Sequence, residues 1–452
     1  MEAGLLEAAR EVDEPSYDGC GGELLVVLLI LINICAALGF QGFAAIADAA
    51  ASWYQVPVAS INNVVVVAQA SNLVSYALSS MLSDRGSIEA CMVAGAVLAI
   101  VGALLRWLAR GPGPQLFGLG LVGMGLSSSA TSFFSCLAAP AAARHLRPSR
   151  RVLGTSLILL ANLLGIGLGQ AVVGGFEHNI PLLMLIELVA VAVPSIVAVV
   201  YALPRMKRRR QTFGDPAQPE RPPYLPLLRR MAGNGPFVRL ACGIALLIGT
   251  FNTFSALMDQ VAPPSMDGHV GLALAAIFGC GLIGTVLQGV ILGQTRNYTA
   301  CTRVSISGLG VGWAVAAAGW YCNLQGLIWP GLCVVGFFGV GLLPLAVDLG
   351  VELCYEPSHG FEGTVNGIIT ASTTAWGLGS IYLTEPSTIS KVVPTKDLIF
   401  VWCCMFVVGG LLVLSANRGE LRRLAAEREE AERKSGTLDS LRSGQREGDS
   451  AG

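Results

Sequence analysis

The chain has 452 residues, 53% hydrophobic and only 13% charged, with a formal net charge of -1. Its mean hydropathy is +0.63. Soluble domains carry about 25% charged residues, so this composition excludes an ordinary soluble enzyme or a nucleic-acid-binding module and points to lipid as the solvent.

Residues 1–23 are acidic and lack the basic start and short apolar core of a cleaved leader, so they read as a cytoplasmic tail. A helix crosses the hydrocarbon core in about 20 residues. Runs of that length place spans at 24–48, 58–82, 90–108, 116–139, 152–175 and 182–203, a first six-helix half over residues 24–204. A basic linker follows over 205–236, and its Arg208-Arg209-Arg210 cluster puts it in the cytoplasm by the positive-inside rule. A second half over 237–416 holds spans at 237–262, 270–293, 301–321, 324–349, 363–383 and 398–416. Residues 417–452 alternate Glu and Arg before a Ser/Gly-rich end, a charged cytoplasmic tail that fades into disorder.

The predicted class is an all-α polytopic membrane protein of about twelve transmembrane helices, with both termini cytoplasmic, in the plasma membrane or an endomembrane. The sequon Asn297-Tyr298-Thr299 falls in a cytoplasmic loop and is expected to stay unmodified. Most of the 12 cysteines lie inside apolar runs, which predicts free, buried thiols. No metal-ligand spacing, nucleophile elbow or phosphate loop is present, so no cofactor and no enzymatic chemistry are expected.

The halves repeat each other. Phe40-Gln41-Gly42-Phe43 reads against Phe251-Asn252-Thr253-Phe254, a shift of 211 residues. Gly123-Met124-Gly125 answers Gly339-Val340-Gly341, and Gly167-Leu168-Gly169 answers Gly377-Leu378-Gly379. Parallel six-helix repeats joined by a cytoplasmic linker describe the major facilitator plan.

The tenth span and the loop after it carry Gly336-Phe337-Phe338, Leu343-Pro344-Leu345, Asp348, Val351-Glu352-Leu353, Tyr355 and Gly360. This pattern resembles the feline leukaemia virus subgroup C receptor family, a branch of the major facilitators. The resemblance implies a transporter of heme, choline, ethanolamine or pyridoxine, with the first, fourth, seventh and tenth helices around a central cavity. Choline-transporting members carry Trp and Tyr where Gly42 and Asn252 stand here, and Gln where Leu163 stands. Aromatic faces hold quaternary ammonium, so the substrate does not carry over with the fold.

Gln41 and Asn252 occupy equivalent repeat positions on cavity helices and are expected either to bind solute or to bond the bundle together. Phe40, Phe43, Phe251 and Phe254 are candidates for a partial aromatic cage, and Asn162 either for a wetted path or for a helix–helix contact, the second being the more common role. Asp84 and Arg85 form a degenerate facilitator loop motif. An acid there caps a neighbouring helix N-terminus while pairing with a cation such as Arg144. Asp348 and Glu352 share a face of the tenth helix. These charges are expected either to gate the cytoplasmic side or to be ordinary solvated interface.

The function expected is alternating-access transport of a small organic solute by a monomer in the bilayer, choline- or ethanolamine-like or another polar metabolite. Heme transport and a non-transporting receptor or scaffold are the alternatives.

Overall fold

The computed structural model describes residues 19–39, 43, 46–85, 87–147, 150–173, 176, 178–213, 224–266, 269–355, 361–384 and 397–416. Among the described residues there are helices and turns but no strand. Ten helical stretches are long and apolar enough to cross a membrane. Two further spans complete twelve, and each falls short of that criterion for a physical reason. The first stops at Ala37 and resumes as Ala47–Tyr54, so its unbroken apolar run is only Gly22–Ala37. The eleventh, Glu362–Thr384, carries Asn366, Thr370, Ser372, Thr373 and Thr374, which lower its hydropathy.

In the first half the second span is Val58–Ile61 with Asn63–Arg85, the third Ile88–Leu108 and the fourth Pro114–Cys136 with Ala138–His145. Arg151–Val173 and Ile180–Phe213 are the fifth and sixth. The seventh runs from Gly235–Ile244 through a π-helical turn, Ala245–Gly249, into Thr250–Val261. Val270–Thr295 and Tyr298–Tyr321 follow, then Gln325–Gly339 with Leu342–Cys354 as the tenth, and Leu398–Ala416 as the twelfth.

One expectation changes: the continuous first span expected over 24–48 is interrupted. In the described part of the linker, the sixth span continues through Phe213 despite Pro194 and Pro204, and Tyr224–Gly233 forms a separate amphipathic helix. Its Leu227 and Met231, one turn apart, are both buried.

Lipid-facing stripes are visible as exposed Val189, Val193, Val197 and Val200, spaced one helical turn apart on the sixth span. The second half is centred on aromatic packing. Phe254 lies edge-on to Trp313 and Trp402, with ring centroids 5.0 and 5.4 Å away, and Trp313 stacks on Phe406 at 4.4 Å. In the first half a smaller cluster joins Phe43, Tyr54, Phe117 and Met184. No disulfide is formed among the described cysteines; Cys91 and Cys136 are buried, Cys35, Cys280, Cys301, Cys333, Cys354 and Cys403 are half-buried, and Cys242, Cys322 and Cys404 are exposed.

Candidate functional site

The ends of the spans nearest the helix Tyr224–Gly233 define a linker side, and there the two halves lock. Asp84, the penultimate residue of the second span, is 8% exposed. Its Oδ1 accepts the Gly363 amide at 2.9 Å and its Oδ2 the Thr364 amide at 2.8 Å, with a further hydrogen bond from the Thr364 hydroxyl. The first amides of a helix have no partner within it, so Asp84 caps the eleventh span as a negative charge at a positive helix end.

Deeper along the same seam, Asn366 Nδ2 donates to the Ser135 carbonyl at 2.5 Å, tying the eleventh span to the fourth. The hydroxyl of Tyr76, a buried residue of the second span, lies beside Ser132 and Ser135 of the fourth span and Thr370 of the eleventh. The Tyr224 hydroxyl of the linker helix lies 2.9 Å from Ser80 Oγ of the second span. Gly363 and Gly367 let the helices approach: a Cβ on Gly363 would stand 2.6 Å from Asp84 Oδ1, and one on Gly367 2.6 Å from Ser80 Cβ.

Farther from the linker side, the two irregular helices sit at repeat-equivalent places. The first helix ends at Ala37 and turns at Leu38; 211 residues on, the π turn of the seventh ends at Gly249. Each rests on a glycine of the repeat signature. A Cβ on Gly169 of the fifth span would overlap the Leu38 carbonyl, and one on Gly377 of the eleventh would stand 3.5 Å from the Gly249 carbonyl. Non-helical backbone at membrane depth is tolerated only inside protein or along a water-filled cavity, and π turns gather at functional sites.

Around this level lie Asn33, whose Nδ2 donates to the Ile158 carbonyl at 2.8 Å, and Asn162, whose Nδ2 donates to Asn33 Oδ1 at 3.4 Å. Across the bundle, Trp376 Nε1 donates to Thr250 Oγ1 at 3.0 Å. Asn252, half-buried, has its Cβ 3.9 Å from where a Cβ on Gly377 would be.

The family model described as Major Facilitator Superfamily matches residues 29–382. The chain belongs to this superfamily. Within the superfamily it is related to the feline leukaemia virus subgroup C receptor branch. The choline/ethanolamine transporter flvcr2a of Danio rerio is 28% identical over 213 residues, 46% of this chain and 43% of the relative. The choline/ethanolamine transporter FLVCR2 of Homo sapiens is 27% identical over 214 residues, 47% and 40%. The match spans less than half the length of either relative. FLVCR2 of Rattus norvegicus is 23% identical over 368 residues, 78% of this chain and 66% of the relative. Among solved structures, the Escherichia coli fucose:proton symporter FucP superposes with a TM-score of 0.59 at 16% identity, covering 87% of this chain and 98% of its own. A bacterial homologue of ferroportin in an outward-facing state gives 0.62 at 16%, covering 87% and 99%. Both share the major facilitator fold.

Against that plan, the residues singled out in the sequence divide. Phe40 and Gln41 lie outside the described residues, as does the Arg85 side chain. Asn252 lies in the helix Thr250–Val261, three residues after the π turn ends, and no hydrogen bond of its side chain is present among the described residues. Asn162 is engaged by Asn33, a helix-to-helix bond. Of the four phenylalanines, the described three lie in separate packing environments. Phe254 is 0% exposed among three tryptophans, Phe251 lies edge-on to Phe278 at 6.1 Å, and Phe43 packs on Tyr54 at 5.9 Å in the other half. Asp84 accepts from two backbone amides and a hydroxyl, the capping role expected of it, and Arg144 is exposed. Glu352 is buried and Asp348 half-buried at the linker-side end of the tenth span.

Sequence reasoning missed Asn33, Tyr76, Asn366 and Trp376. Tyr and Asn inside apolar runs were the available signal, because polar groups in a lipid-embedded helix turn inward.

Proposed function

We propose that this chain is a secondary transporter working by alternating access, with its solute site between the broken first helix and the π turn of the seventh. The observation that supports this most directly is the repeat equivalence of Leu38 and Gly249: irregular backbone begins at the first and ends at the second, and each is seated on a signature glycine. The linker-side seam then acts as one gate. It is built of small polar contacts, Asp84 with Gly363 and Tyr76 with Thr370, which exchange readily for water when the halves part.

The solute class supported best is a small amine such as choline or ethanolamine, the substrates in the names of the relatives. Trp376 supplies an indole beside Thr250 where the expected aromatics are missing, and a cation binds well over such a face. Heme is disfavoured because its propionates need free cations, and the embedded Arg106 is already neutralised by Glu187. The linker side is assigned to the cytoplasm by its arginines. Proteoliposomes holding the purified full chain and given labelled choline or ethanolamine test the reading. Saturable uptake that unlabelled solute competes away is expected; flux of both equal to that of empty liposomes overturns the amine assignment.

A further inference from the structure

One pair of embedded charges has no part in the gate or the site described above. Arg106 of the third span and Glu187 of the sixth form an ion pair of 2.9 Å between Nη2 and Oε2, their side chains 6% and 9% exposed. Neither belongs to a helix that lines the cavity in the family plan. Burying two charges seldom returns net stability, and an intramembrane ionisable pair is a functional hypothesis by default.

The reach of Arg106 shows what the pair does. A Cβ at position 39 would overlap its Nη1, so only glycine lets the guanidinium lie against the turn that ends the first helix. Helix carbonyls left open at a C-terminus favour a cation there. The same guanidinium carbon is 5.7 Å from the centroid of the Phe43 ring, which lies within the interruption. Phe43 in turn packs on Tyr54, whose hydroxyl donates to the Ala109 carbonyl at 3.1 Å. Arg106 thus lies against Gly39 where the break begins and faces the Phe43 ring within it, and Glu187 holds it from behind.

We propose that Arg106, oriented by Glu187, is a positioning residue that fixes the broken end of the first helix and so sets the affinity of the central site without touching solute. The affinity part rests on the reading of Leu38 and Gly249 as walls of that site.

The test uses the full chain in lipid, comparing wild type with Arg106→Lys, the double variant Arg106→Met/Glu187→Leu, and Asn252→Ala. Removing both charges together strands neither, so the double variant keeps its fold. Its KM for labelled choline is expected to rise about tenfold or more with little change in maximal rate, the signature of lost binding rather than lost turnover. Amide hydrogen exchange at Leu38 and Gly39 is expected to quicken by a similar order, while Gly363 and Thr364 stay protected. Arg106→Lys keeps the charge and is expected to restore most of both. Wild-type exchange at Leu38 and Gly39 in the double variant overturns the positioning role. Quickened exchange with an unchanged KM overturns the link to affinity. If Asn252→Ala also leaves KM unchanged, or wild type carries no choline, the reading of the site is what fails, and the exchange data still decide the positioning role.

Discussion

Asp84 Oδ1 lies 2.9 Å from the amide of Gly363, a residue 279 positions later and in the other half of the molecule. The bond exists only while the second and eleventh spans touch, so its free energy belongs to one conformation. Losing a capping side chain costs about 0.5–2 kcal/mol. Asp84→Ala is expected to lower the maximal uptake rate several-fold through that shift in population, with surface expression retained. Uptake kinetics with a surface-biotinylation control check this, and an unchanged rate speaks against a gating role.

Gly169 and Gly377 test whether the irregular helices are seated as described. An added methyl at 169 meets the Leu38 carbonyl, whereas at 377 it stands 3.5 Å from the Gly249 carbonyl in ordinary contact. Overpacking costs about 1–3 kcal/mol. Gly169→Ala is therefore expected to lower the melting midpoint and transport, and Gly377→Ala to resemble wild type. Thermal unfolding of both variants in detergent gives the answer, and equal behaviour contradicts the geometry.

The linker helix adds a second tie across the seam, Tyr224 to Ser80 at 2.9 Å. A hydrogen bond of this kind contributes about 0.5–1.5 kcal/mol. Tyr224→Phe and Ser80→Ala should each cost that much, and the double variant no more than one of them, because the partners share a single interaction. A double-mutant cycle on thermal stability measures it; simple additivity would mean the bond is not made.

Phe254 and Asn252 sit two residues apart and should respond oppositely. Phe254→Ala removes the ring between Trp313 and Trp402, for which a loss of about 3–5 kcal/mol is typical. Poor yield of folded protein is the expected outcome. Asn252→Ala should fold normally and raise KM, because no packing partner is lost. Size-exclusion profiles and uptake distinguish them, and a normal Phe254→Ala protein with altered KM would put that ring back in the site.

Much of the fold was legible because lipid demands long apolar runs, and a parallel repeat leaves matching glycines. The glycines carried more than packing: Gly169 and Gly377 mark where the irregular backbone rests. The break after Ala37 was not legible, since no proline interrupts the apolar run there. Nor was the helical continuation to Phe213, because a basic run reads as linker whether or not it is coiled. At the gate, Asp84 was readable from its loop motif. Its partners were not, because amides of Gly363 and Thr364 have no signature in sequence. Repeat symmetry places Phe43 and Phe254 at equivalent positions, and each half buries its own ring.

The central claim is that the linker-side seam opens and closes during transport. A Cβ on Gly363 would stand 3.0 Å from Ser83 Cβ, close enough that a small outward shift allows a disulfide. The decisive measurement is solute uptake by a Ser83→Cys/Gly363→Cys variant, with its exposed native cysteines replaced, before and after oxidation. Oxidation is expected to cross-link the halves and stop uptake, and reduction to restore it. Full uptake by protein shown to be cross-linked would contradict the account.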